Sequence, residues 1–214
     1  MPITSPIPSV TVPVVDIATL FFEQAQARID AAIAAGGSAE EEPPLVVDGI
    51  TGRSLRFTDI RQQSRAIGRS LKQRMLCGQQ DMQTVAVFAP VDISLCCIHY
   101  GTLMAAGVYT ALGPELDVAE LARRLAEVKP TVVFVAEELL PTLCAACKLA
   151  GLDIDRANTI LVSGSCPGYT TLSAICSGLD EDSSFEPYVI TDPVEQESKV
   201  AMIVYTSGTT ASAK

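Results

Sequence analysis

The chain has no tryptophan, a single histidine (His99) and only 5% aromatic residues. Aliphatic side chains and alanine must therefore fill its core. One histidine on an apolar stretch supports no Ser-His-Asp or Cys-His constellation, so no catalytic side chain is assigned. Charge is scarce at 19%, and basic charge scarcer: 25 acidic against 15 basic residues leave a net −10. Such a chain repels nucleic acid and anionic membrane surfaces, and any anionic ligand must be held by local geometry against the global field. No basic residue precedes Arg28, and Pro13 and Asp16 break the early apolar stretch. A secretory signal is not expected. One uncharged run, 93–114, has the length to span a bilayer, but His99, Gly101 and Gly107 interrupt it and it divides into a helix and a strand. A Gly-x-x-x-x-Gly-Lys-Ser/Thr phosphate loop is also missing.

What is present is a packed globular composition, 48% hydrophobic over 214 residues, enough for one large domain or two small ones. The seven cysteines, with no signal, suggest reduced thiols in an intracellular protein. The expected setting is cytoplasmic, with a peroxisomal address open. Cys144-Ala-Ala-Cys147 and Cys96-Cys97 fall inside predicted helices and read as buried structural thiols rather than zinc or redox sites. Glu40–Glu42 and Asp180–Asp182 read as solvated acidic loops, and no metal site is assigned.

Along the chain, residues 1–44 form a Pro-rich extension, a helix capped by Thr19 with Phe22, Ala25, Ile29 and Ile33 on one face, and an acidic linker. Two short strands, 45–47 and 54–57, make a hairpin. A helix from Thr58 follows, with Ile60, Ile67, Leu71 and Met75 on its buried side. The pattern then alternates. Strands are expected at 85–89, 108–111, 131–135 and 159–162, helices at 92–106, after the Asp117/Glu120 capping pair, and at 137–149. Pro130 stops one helix and Gly151 another. Residues 163–199 read as loops, and 200–205 as a last strand. Alternating strands and helices mean parallel βαβ units, whose ligands bind beyond the carboxyl ends of the strands.

That last strand leads into Tyr205-Thr206-Ser207-Gly208-Thr209-Thr210-Ala211-Ser212-Ala213-Lys214. Hydroxyls, backbone N–H groups and an ammonium suit a polyphosphate, which needs many short donors around dense negative charge. This stretch resembles the phosphate-binding motif of the adenylate-forming superfamily, which includes acyl-CoA synthetases, peptide-synthetase adenylation domains and luciferases. It departs from the motif twice: Ala211 stands where the family has glycine, and Ala213 where it has proline. A left-handed backbone at 211 would cost alanine about 1–2 kcal/mol. The segment from Gly101 through Gly107 to Pro114, with Glu120, Leu121, Leu125 and Lys129-Pro130, is similar to a packing segment of acyl-CoA synthetases.

The resemblance implies an α/β fold: a mostly parallel sheet flanked by helices, the N-terminal part of the family's large domain, with a small β-hairpin. Residues 45–214 would be a partial AMP-binding domain ending at its phosphate loop. It implies ATP and Mg²⁺ as cofactors, with Thr206, Ser207, Gly208, Thr209, Thr210 and Lys214 holding the phosphates. It implies a carboxylic-acid substrate, an acyl-AMP product, and CoA or phosphopantetheine as possible thiol acceptor. The family's remaining contacts follow the motif, so the chain alone is expected to be inactive. Two alternatives stay open: a catalytically incompetent truncated product or interaction module, and an unrelated α/β nucleotide-binding domain. An uncovered last strand would also allow self-association through the sheet edge.

Overall fold

The computed structural model describes residues 12–36, 42–75, 82–177 and 185–205. A six-stranded, wholly parallel sheet forms the centre, in the order β7-β6-β5-β3-β4-β8. Its strands are β3 (Thr84–Phe88), β4 (Val108–Leu112), β5 (Val132–Ala136), β6 (Thr159–Ser163), β7 (Thr170–Thr171) and β8 (Met202–Ile203). β3 and β5 are buried at every position. Such continuous apolar runs belong to strands covered on both faces. A separate antiparallel hairpin pairs β1 (Pro44–Val47) with β2 (Ser54–Arg56).

Two layers of helices cover the sheet. On one face, α2 (Phe57–Met75) and α3 (Ser94–Met104) bring Ile60, Ile67, Leu71, Met75, Cys97 and Ile98 against Val85, Val87, Val132 and Phe134. On the other, α4 (Val118–Val128) and α5 (Leu140–Ala150) bring Leu121, Leu125, Leu143 and Ala146 against Ala86, Phe88, Val133 and Val135. The strand's two-residue period explains the split: alternate residues of β3 and β5 serve opposite layers. α4 begins where Asp117 accepts from the Glu120 N–H at 2.8 Å, and it ends at Lys129, whose φ of 43° turns the chain before Pro130. Glu120 does not close the reciprocal half of a capping box; its carboxylate takes Arg123 and Arg124 instead.

Several expectations need correction. α1 (Ile17–Ala34) starts earlier than expected, because Asp16 is the cap: its carboxylate accepts from the Thr19 N–H at 2.8 Å and the Thr19 hydroxyl at 2.7 Å. Phe21 stacks on Tyr100 at 4.4 Å and Phe22 packs near Phe57, but Ile33 is exposed, so the apolar face is used only in the first part of the helix. Within 163–199 the chain forms β7, α6 (Leu172–Ser177) and α7 (Pro193–Ser198), each too short to show a periodicity. The last strand spans only Met202–Ile203. Cys144 is exposed rather than buried, while burial pushes the half-buried Cys147 up to about 11. The six described cysteines are free, and Cys77 lies outside the described residues. His99 meets Tyr100 and Tyr109 edge-on, and burial lowers its pKa. Among the described residues, no helix is long and apolar enough to cross a membrane.

α2 and α3 come close together at Gly101. A Cβ there would lie 2.7 Å from Ile67 Cγ2 and 2.9 Å from the Ser64 carbonyl oxygen. Backbone cannot yield as a side-chain tip can. Gly101→Ala is expected to destabilise the fold by about 1–3 kcal/mol, the usual cost of overpacking. Urea unfolding of the two proteins checks this; an unchanged midpoint would mean the helices can separate at no cost.

Candidate functional site

The site is built at the carboxyl ends of the strands. β3 is bonded to β4 on one side and β5 on the other, so the connections leaving β3 and β5 diverge. A crevice opens at such a switch in a parallel sheet. Two polar ties fix the loops there. Arg53, from the hairpin turn, pairs with Asp92 beyond β3. Glu137, beyond β5, accepts from the Ser165 N–H at 2.9 Å. The Glu137 carboxylate sits so close to Gly164 (φ 75°) that any Cβ there would collide with it at 2.0 Å. An open cleft of about 710 Å³ lies nearby, lined by Arg53, Gln63, Asp92, Ser94, Ser163 and Cys176. It belongs to the α2/α3 face.

β8 leaves the sheet on the other half. It joins β4 in parallel, with Tyr109 opposite Met202 and Thr110 opposite Ile203. The Tyr109 N–H donates to the Ala201 carbonyl at 3.0 Å, and the buried Thr110 hydroxyl donates to the Ile203 carbonyl at 3.0 Å. Parallel pairing fixes the direction: the chain after Ile203 heads toward the carboxyl ends, where a ligand-binding loop is useful. The six residues expected to hold phosphate, Thr206, Ser207, Gly208, Thr209, Thr210 and Lys214, lie outside the described residues. The structure therefore places their root and not their side chains.

That root is anchored on α4. Tyr205 packs on the α4/α5 side of the core, with the Arg124 guanidinium 4.5 Å from its ring centre. Its hydroxyl donates to Glu127 Oε2 at 3.1 Å. Burial and the Glu127 carboxylate together push the phenol up to about 12, so it stays protonated and able to donate. Arg124 Nε in turn donates to Glu120 Oε1 at 2.8 Å, and Arg123 spans Glu120 and Glu127 at 2.7 and 2.6 Å. The guanidinium hydrogen bonds pull Glu120 down to about 2. These α4 charges went unnoticed in the sequence as part of any site. Their three- and four-residue spacing is a readable helix signal, but their link to Tyr205 crosses 81 residues. Among the described residues no group of three His, Cys, Asp or Glu side chains is arranged to hold a metal ion. Acidic Glu42 is used structurally, accepting from the Thr58 N–H and hydroxyl.

Residues 34–214 match the family described as AMP-binding enzyme. The chain belongs to that family. A 4-coumarate–CoA ligase-like protein of Oryza sativa subsp. japonica is 25% identical over 174 residues, covering 79% of this chain and 29% of the relative. Among solved structures, the luciferase-like enzyme from the mealworm Zophobas morio superposes with a TM-score of 0.71 at 19% identity, covering 92% of this chain and 41% of that one. The anthranilate CoA ligase AuaEII, solved with anthranoyl-AMP, gives 0.67 at 14% identity, with 95% and 34% covered. These likenesses confirm the expected α/β architecture, including the hairpin. The chain spans less than a third of the plant relative's length. Family membership removes the reading as an unrelated nucleotide-binding domain.

The Glu120 cluster gives a pH prediction. A carboxyl whose folded pKa is depressed supports the folded state above its ordinary value near 4.5, and that support fades as pH falls toward about 2. Carbon-13 titration of wild type should place Glu120 near 2, and Arg124→Gln together with Arg123→Gln should return it toward 4.5. A wild-type value already near 4.5 would dissolve the cluster.

Proposed function

We propose that the chain is the phosphate-loop portion of an ATP-dependent ligase that activates carboxylic acids. The observation that carries this reading is the parallel β8 aimed at the carboxyl ends of the sheet, followed at once by Thr206, Ser207, Gly208, Thr209, Thr210 and Lys214 in a chain of the AMP-binding family. The residue types fit a polyphosphate: hydroxyls and backbone N–H groups would donate to it, and an ammonium would offset part of its charge. A carboxylate would attack the α-phosphorus of ATP, breaking the α–β phosphoanhydride bond and giving an acyl adenylate and pyrophosphate. Transfer of the acyl group to the thiol of CoA or of a carrier-protein pantetheine would follow, with AMP leaving. The anthranoyl-AMP in AuaEII is a precedent for an acyl adenylate on this architecture. Mg²⁺, which the resemblance implies, would offset phosphate charge, and among the described residues no group of three His, Cys, Asp or Glu side chains is arranged to hold it. Residues 45–214 are the proposed partial domain, with 1–44 an extension, in a cytoplasmic setting. Self-association through β8, an edge strand among the described residues, with Met202 and the neighbouring Val200 and Val204 exposed, belongs to the same proposal.

The chain's own residues would bind and orient the phosphates rather than complete the reaction. Phosphorus-31 titration should show ATP binding. Thr209→Val with Thr210→Val should weaken it about tenfold to a hundredfold, the loss expected for hydrogen bonds to a charged acceptor. The 214 residues alone should not exchange labelled pyrophosphate into ATP with any of a panel of carboxylic acids. Equal affinity of the double variant would contradict the phosphate assignment. Acid-dependent exchange by this chain alone would contradict the division of labour.

A further inference from the structure

The segment proposed to hold phosphate begins one residue after Tyr205, and the contacts of Tyr205 are unusually complete for a residue so near an edge strand. Its ring is covered by a cation, its hydroxyl is engaged, and both partners sit on one helix. The cation is itself fixed. Arg124 has a side chain only 14% exposed and gives its Nε to Glu120 at 2.8 Å. Glu120 also receives Arg123 at 2.7 Å, and its own backbone N–H is tied to Asp117 at 2.8 Å. The chain of contacts thus runs from the first turn of α4 to the last described residue.

We propose that Arg124, braced by Glu120, is a positioning residue: it holds the Tyr205 ring and so sets the direction in which the chain enters 206–214. This inference rests on the functional reading above and adds to it which residues orient the phosphate-binding segment. Electrostatics favour a guanidinium in this place. A planar cation stacks on an aromatic face while its N–H groups remain free for a carboxylate, so one side chain can satisfy both the ring and Glu120. The arrangement is also economical in an acidic protein. Glu120 and Glu127 are neutralised by Arg123 and Arg124 on the same helix, so the root of the segment is not left beside unpaired carboxylates that would repel an incoming anion.

Two readouts separate positioning from general stability. The first is amide hydrogen exchange of the ligand-free chain, which needs no phosphate binding. Arg124→Met keeps the aliphatic packing and removes the cation. It should speed exchange across residues 202–205 about threefold to tenfold, while β3 and β5 amides keep wild-type rates. Arg124→Lys, which restores a cation near the ring but not the planar stack, should recover only part of the protection. The second is affinity for inorganic tripolyphosphate, which should fall with Arg124→Met and recover in part with Arg124→Lys, measured in the absence of urea where each protein is folded. Exchange at 202–205 that does not change in Arg124→Met would overturn the inference, as would acceleration spread equally over the core. If Arg124→Met fails to fold, Tyr205→Leu, which removes the ring that Arg124 covers, is judged by the same exchange pattern. Absence of tripolyphosphate binding by wild type would count against the functional reading, and the exchange result would still decide the role of Arg124.

Discussion

The parallel pairing of β8 with β4 is the constraint on which the rest depends. It rests on two register pairs, Tyr109–Met202 and Thr110–Ile203, and on the Thr110 hydroxyl that accompanies them. Reverse the direction of β8 and the chain after Ile203 would emerge at the amino ends, away from the switch between β3 and β5. Because it runs parallel, Val204 and Tyr205 leave the sheet on the side where this class of sheet binds ligands. The burial of β3 and β5 on both faces supplies the rigid frame. The close contact at Gly101 keeps α2 and α3 tight on one layer, and the capped α4 anchors the exit on the other.

Charge is the second determinant. With a net −10, the molecule as a whole repels a nucleotide. Favourable interaction with phosphate must come from short-range donors, which act over a few ångströms and are less screened than a surface field. The α4 cluster fits this demand in an indirect way. Its two arginines do not present a bare positive patch; they are consumed in pairing Glu120 and Glu127 and in covering Tyr205. In the proposed reading, the basic charge offered to phosphate is that of Lys214, which follows Thr206 through Thr210 in the sequence. The cleft of about 710 Å³ lies on the opposite layer, lined by Arg53 already paired with Asp92, and it has no part in this account.

Much of this was legible in the sequence, for identifiable reasons. The apolar runs at β3 and β5 are long and uninterrupted, and Asp117, Lys129-Pro130 and Gly151 mark helix ends by chemistry that acts over a few residues. The Ile60, Ile67, Leu71, Met75 column is a strong helical repeat and is buried as read. The first cap was misread because Asp16 and Thr19 are both capping residues, and the carboxylate takes both the N–H and the hydroxyl of Thr19. α6 and α7 are below the length at which a period can be seen, although Asp192 before Pro193 is a helix-start signal that could have found α7. The phosphate motif is a reading of residue types alone, since its residues 206–214 lie outside the described residues. The Tyr205–Arg124 contact could not be read from the sequence, since it depends on β8 docking beside β4 and on α4 lying near its exit.

The central claim is that phosphate meets the segment following β8. It is tested most directly by photolabelling with an ATP analogue carrying its reactive group on the γ-phosphate, followed by peptide mapping. The account predicts label within residues 206–214, suppressed by excess ATP. Label concentrated instead on the cleft residues around Arg53, Ser163 and Cys176, with none after Tyr205, would contradict it.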